Sequence, residues 1–254
     1  MSKTQYIIIW ISTAILTFLF GYFNSSTSQF QPVTGTTGID GKQVSYSFPR
    51  KANISDTLRL MLISDIDTLK AITFLDGKIP KQISFESTGK NKTLVCTIPL
   101  SKLPDTITYR VAIIKNDSLL FIPQNSSNLT TICMAKVPSQ IMQAFYFTLF
   151  GGLLLSIRVG LEYFTDGKKI KKLTLFTTAL FGVYGVLFVP AKNTFEMNFL
   201  NKIIAQPNQL FELSALSYFA FWIAASIAIF KVKHQKLAAL IAGIGTVIIF
   251  LIVD

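Results

Sequence analysis

The sequence predicts a membrane α-helical bundle of five transmembrane helices carrying an inserted extracytoplasmic all-β domain, an immunoglobulin-like sandwich. Three observations carry that fold class. Half of the 254 residues are apolar and the mean hydropathy is +0.49, with the excess gathered into five long runs. Short lysine-rich segments separate two pairs of those runs. Between the first run and the second, the pattern changes to short stretches of β-branched and aromatic residues with a period of two.

Crossing the hydrocarbon core as a helix takes about 20 predominantly apolar residues. Five windows come close to that length: 6–23, 142–164, 173–189, 213–230 and 237–253. The first follows Lys3 and ends Phe20-Gly21-Tyr22-Phe23, without the small residues a signal-peptide cleavage site requires. Residues 1–23 therefore read as an uncleaved anchor helix. Residues 24–41 are rich in Ser, Thr and Gly, include Pro32, and read as a flexible tether.

Residues 42–137 read as the β domain, with strands expected at 43–48, 57–63, 69–75, 82–85, 93–98, 106–114, 119–122 and 129–135. Asp76-Gly77 and Asn116-Asp117 supply tight-turn chemistry between runs. Tyr109, Val111 and Ile113 alternate with Arg110, Ala112 and Ile114, which is strand rather than helix periodicity. Strands at this spacing in about a hundred residues suggest a small antiparallel sandwich. The two cysteines, Cys96 and Cys133, both fall in it and form a candidate disulfide suited to an oxidising compartment. Two buried thiols are the alternative, and soft copper ligation together with Met134 is a third. Asn-x-Ser/Thr triplets begin at Asn24, Asn53, Asn91, Asn116, Asn125 and Asn128, and Asp65 with Asp67 reads as a solvated turn.

Residues 138–254 supply the other four spans. Lys168, Lys169, Lys171 and Lys172 lie between two of them, and Lys231, Lys233, His234 and Lys236 between the next two. Short loops rich in Lys and Arg stay on the cytoplasmic side. Alternation from a cytoplasmic N-terminus puts both loops inside and the β domain and C-terminus outside. Long translocated domains are indifferent to charge, so the net +11 is partly a topology signal and partly a surface property of the β domain. Nucleic acid is not an expected partner; the lipid bilayer and other membrane or extracytoplasmic subunits are. Pro190 and Pro207 bracket 193–205, where Phe195, Phe199, Leu200, Ile203 and Ile204 suggest a short interfacial helix.

Charge within the spans narrows to Arg158 and Glu162. Their i, i+4 spacing puts both on one helical face as a candidate intramembrane ion pair or partner contact. They also stand within two turns of a lysine cluster, so both have a route to the interface by snorkelling. Ser156 with Gly160, Ala220 with Ala224 and Ala228, and Ala238 with Ala242 give the four-residue spacing of small residues that lets helices approach closely.

The motif Leu154-Leu155-Ser156-Ile157-Arg158-Val159-Gly160-Leu161-Glu162, followed by a lysine-rich loop and a span ending at 185–190, resembles an uncharacterised family of bacterial polytopic membrane proteins. These pair an extracytoplasmic β domain with four following transmembrane helices. The resemblance implies the same architecture and a bacterial inner-membrane location, and no activity. The chain departs from it after the third span, with 193–208 in place of an aromatic and Gly-rich outer loop.

No catalytic, cofactor-binding or metal constellation stands out. One histidine, His234, lies in a loop, and no phosphate-binding Gly-rich loop or nucleophile elbow is present. A non-enzymatic subunit or assembly factor of an envelope complex is the expectation. A small-molecule transporter or channel component with a regulatory outer domain is the alternative, disfavoured by the scarcity of intramembrane charge.

Overall fold

The computed structural model describes residues 3–27, 31–39, 41–54, 57–64, 66, 69–76, 81–88, 93–100, 106–115, 118–123, 128–197 and 206–253. Two compact units emerge. One joins Met1–Ser28 to Val137–Asp254, and the other is Gln29–Lys136.

The Gln29–Lys136 unit is built from β1 (Val33–Ile39), β2 (Lys42–Phe48), β3 (Lys51–Asn53), β4 (Thr57–Ser64), β5 (Lys70–Asp76), β6 (Lys81–Ser84), β7 (Glu86–Ser87), β8 (Thr93–Pro99), β9 (Thr106–Lys115), β10 (Ser118–Ile122) and β11 (Leu129–Met134). One sheet runs β1-β2-β4-β8-β7, and the second runs β3-β11-β9-β5-β6, with β10 also pairing β9. The pairs are antiparallel except β3 with β11. The period of two is visible in β4, where Leu58, Leu60 and Leu62 are buried and Arg59, Met61 and Ile63 are exposed. A one-residue slip would exchange those three leucines for the outward set, at about 1.5–3 kcal/mol for each side chain lost from the core. Phe48, Leu60, Leu62 and Ile98 from one sheet meet Tyr109, Val111 and Ile113 from the other in a single core.

Sequence expectations change at three points, the first of them at the end of the helix that precedes this unit. The tether predicted at 24–41 gives way at both ends: the first helix continues to Thr27, and Val33–Ile39 is strand β1 on the edge of the first sheet. Ile39 pairs with Lys42 across a two-residue connection ending in Gly41, whose φ is +73°, so Asp40-Gly41 is hairpin sequence. Gly35 is required there because the Tyr46 ring lies where a Cβ would project. Third, no disulfide joins Cys96 and Cys133, which are both buried thiols. Cys96 projects from β8 beside the Thr73 hydroxyl on β5, whereas Cys133 is on β11, with β9 between β5 and β11. Two strand spacings are about 10 Å, beyond the roughly 7 Å that a disulfide spans between Cα atoms. Burial pushes the Cys96 thiol above its usual range, against the opposing effect of Thr73.

The other unit is helical: α1 (Lys3–Thr27), α2 (Ser139–Leu161) with a 3₁₀ turn (Glu162–Phe164), α3 (Ile170–Val183), a π-turn (Tyr184–Phe188), α4 (Val189–Glu196), α5 (Pro207–Leu210), α6 (Leu213–Lys231) and α7 (Gln235–Val253). Among the described residues, five helices are long and apolar enough to cross a membrane, the third running through the π-turn from Ile170 to Glu196. Several threonine hydroxyls inside them bond within their own helix. Thr13, Thr148, Thr177 and Thr246 donate to carbonyls four residues back. Trp222 Nε1 donates to Thr246 Oγ1 at 2.9 Å, tying α6 to α7, and Thr178 meets Ser226 at 2.7 Å, tying α3 to α6. Phe181 stacks on Tyr218 with centroids 5.1 Å apart. Helices α2 and α7 meet backbone to backbone, since a Cβ on Gly243 would lie 2.9 Å from Gly160 Cα and 3.1 Å from Ser156 O.

The interfacial helix expected at 193–205 falls mostly outside the described residues. Asn193 to Glu196 belong to α4, a continuation of the third long helix, and 198–205 lie outside the described residues. A proline such as Pro190 ordinarily ends a helix, because its ring and missing N–H disrupt an α-helix interior. The widened turn at Tyr184–Phe188, just before it, takes up that disruption and lets the helix run on.

Two measurements follow. Gly243→Val should lower the unfolding midpoint of the detergent-solubilised chain, with an overpacking cost of about 1–3 kcal/mol. Gly151→Ala, whose Cβ would sit 3.4 Å from Leu180, should not. Tyr109 is 1% exposed, its Oη 3.3 Å from Thr131 Oγ1, and burial pushes its phenol from 10.0 up to about 12. The folded state therefore keeps a proton that the unfolded chain releases above pH 10. That contribution, roughly 3 kcal/mol, is complete below pH 10 and lost as pH rises through 12. Tyr109→Phe should remove this part of the alkaline limb in unfolding followed by near-UV circular dichroism.

Candidate functional site

Among the described residues of the helical unit, a dense polar cluster surrounds the last turn of α2. Arg158 is 1% exposed, and its Nη2 lies 2.5 Å from Glu162 Oε1, one helical turn on. The sequence allowed both side chains to snorkel; instead both are buried. Arg158 is held beneath two rings of α1, its guanidinium carbon 5.6 Å from the Tyr6 centroid and 5.5 Å from that of Trp10. Cation–π contact of this kind contributes about 2 kcal/mol where water is excluded. Its Nε and Nη1 have no hydrogen-bond partner among the described residues.

The carboxylate is held from the other side. Thr165 Oγ1 donates to Glu162 Oε2 and accepts from Gly167 N at 3.2 Å. Gly167 has φ +75°, the left-handed turn that brings the α2–α3 loop back on itself. Lys236 Nζ, at the start of α7, donates to Thr165 O. Lys169 donates to Tyr6 Oη at 3.0 Å and lies 4.2 Å from the Tyr6 ring centroid. The start of α1, the α2–α3 loop and the α6–α7 loop thus share one end of the bundle.

A second charged group lies where α4 meets α6. Lys192 Nζ is 3.3 Å from both Glu196 Oε2 and Glu212 Oε1, and Asn193 Nδ2 donates to Leu210 O at 3.0 Å. Sequence reasoning missed it because it ended the third span before Pro190 and put Asn193 and Glu196 in a separate interfacial helix. The i, i+4 spacing of Lys192 and Glu196 was the available signal.

The β unit offers a surface. Strand register puts Ile72, Phe74, Ala112, Ile114, Leu119 and Phe121 on the outer face of the second sheet. Ile114, Leu119 and Phe121 are 36%, 46% and 38% exposed. Phe74 and Phe121 have centroids 6.2 Å apart, and the Arg110 guanidinium lies 5.6 Å from the Phe121 ring. Cys96 and Cys133 face the opposite way, into the core. Among the described residues no cluster of His, Cys, Asp or Glu could hold a metal ion. Asp65, Asp67, Asn91, Asn116 and Asn125 lie outside the described residues.

Removing one member of a buried pair strands the other, at about 3–5 kcal/mol, whereas replacing both with apolar residues is often neutral. Arg158→Leu and Glu162→Leu should each lower stability by that order, and the double variant should recover most of the loss. Equilibrium unfolding of the four proteins in one detergent gives the coupling directly.

No protein-family model matches the chain, and no curated protein matches it.

Proposed function

We propose that the chain is a non-catalytic integral membrane subunit or assembly factor of a bacterial envelope complex, its β unit docking an extracytoplasmic partner. The observation that carries this reading is the apolar outer face of the second sheet. Aromatic and aliphatic side chains capped by an arginine are the composition of interface centres, and monomeric proteins seldom leave such clusters open without a use. The strand order supports the immunoglobulin-like class: β2-β4-β8-β7 forms one sheet and β5-β9-β11 the core of the other.

Membrane insertion and orientation belong to the same reading. Five helices of sufficient length support it, as does the meeting of Tyr6, Lys169 and Lys236 at one end, which becomes the cytoplasmic end under the positive-inside rule. The charges of the helical unit close on one another in Arg158–Glu162 and Lys192–Glu196–Glu212. That suits a structural component better than a transporter, which needs ionisable groups exchanging with substrate or protons.

On native gels of detergent-solubilised membranes the chain should migrate in an assembly larger than itself. Phe121→Asp with Leu119→Asp should release it to its own size while leaving its unfolding midpoint within about 1 kcal/mol of wild type, as for surface changes. Migration of the wild type alone would remove the docking role. Cysteine probes should react from outside at Asn125 and only after permeabilisation at Gly167; the reverse pattern would overturn the orientation.

A further inference from the structure

An apolar groove of about 320 Å³ runs between α1, α2 and α7, lined only by apolar side chains and glycines. Its floor is the close contact of Gly160 with Gly243, where the absence of side chains leaves a channel. Ile157 and Leu161 form one wall, Leu240 and Ile244 the other, and Leu16 and Phe20 come from α1. Ile244 is 53% exposed, so the groove opens sideways.

The α7 wall continues into a different environment. Lys236, Leu240, Gly243 and Val247 follow one another at spacings of three and four and occupy one helical face. Lys236 belongs to a cleft of about 510 Å³ between the α2–α3 and α6–α7 loops, which also holds Lys233 and His234. Among the described residues one carboxylate lines that cleft, Asp166, and it lies 3.9 Å from Lys168 Nζ. The first-turn amides of α7, at Gln235 to Leu237, add donors that the helix itself does not use. The cleft is thus cationic, and the groove, whose α7 residues begin one turn beyond Lys236 on the same helical face, is apolar throughout. From Lys236 to Ile248 the helix rises about 18 Å, close to half of a hydrocarbon core roughly 30 Å thick.

We propose that this groove and cleft form a binding site for one anionic phospholipid of the cytoplasmic leaflet. An acyl chain lies over Gly160 and Gly243, and the headgroup phosphate sits against Lys233, His234 and the start of α7. Charge complementarity selects the headgroup, and the matching lengths of groove and leaflet select a lipid over a soluble anion. The inference rests on the reading of the five helices as membrane spans and is independent of what the β unit docks.

The test uses the full chain reconstituted into vesicles of equal phosphatidylglycerol and phosphatidylcholine with matched acyl chains. Flotation reports insertion, and native mass spectrometry after mild solubilisation reports retained lipid. Inserted wild type should hold phosphatidylglycerol at least fivefold over phosphatidylcholine. Ile244→Trp, which fills the groove, should abolish that retention, while Leu175→Trp on the exposed face of α3 should not. Lys233→Gln with His234→Gln should erase the headgroup preference. Equal retention of the two lipids by an inserted wild type overturns the proposal, as does retention unchanged in Ile244→Trp or displacement of the lipid by millimolar inorganic phosphate. Failure to float would instead overturn the membrane reading itself.

Discussion

A guanidinium taken out of water costs several kcal/mol unless its counter-charge goes with it, and at Arg158 that requirement organises four segments at once. Glu162 supplies the charge one turn away, but a carboxylate has more lone pairs than one arginine nitrogen satisfies. Thr165 takes up the second oxygen, which fixes the path of the α2–α3 loop. Lys236 then ties that loop to α7, and the rings of Tyr6 and Trp10 close over the cation from α1. Each contact is modest alone. Together they decide where the first helix rests, which hydropathy alone does not determine because any apolar face would pack against any other.

The long helices were legible because lipid-like composition is a length-and-hydropathy signal, and all five begin within three residues of the windows read from sequence. Strands were legible for a related reason: β4 alternates cleanly between core and surface, and β9 does so except at Ala112, which is buried as well. What failed was punctuation. Val33 to Ile39 looked like tether because Gly35 and Gly38 diluted its β-branched residues, although Asp40-Gly41 was hairpin sequence in plain view. Pro190 looked like a stop because the rule that proline ends helices assumes the preceding turn stays α. Pairing of the cysteines looked natural from count and compartment, yet it depends on which strands face each other across the sandwich, and nothing local to Cys96 or Cys133 encodes that.

The candidate sites divide in the same way. Arg158 and Glu162 could be found from spacing because they neighbour each other on one helix. The aromatic pair Phe74 and Phe121 could not, since it needs β5 and β10 to flank the same strand, β9. The alternation in β9 already marked Arg110, Ala112 and Ile114 as one face; which neighbours would extend that face into a patch was set by register. Likewise Gly160 was conspicuous, but its counterpart Gly243 became meaningful only once α2 and α7 were seen to cross there.

The π-turn at Tyr184–Phe188 has an effect that reaches past the proline it accommodates. Such a turn contains one residue more than the α-turn it replaces, and at 3.6 residues per turn that single addition rotates everything after it by about 100°. The long helix is therefore two segments indexed separately. Ile170–Val183 sets the angle at which Thr174, Thr177 and Phe181 enter the bundle, and Val189–Glu196 sets the angle of Asn193 and Glu196. A helical wheel drawn through all of it would assign the second segment to the wrong side. The inserted residue works as a phase shifter, leaving hydropathy unchanged while deciding whether the Lys192 cluster turns inward toward α6 or outward.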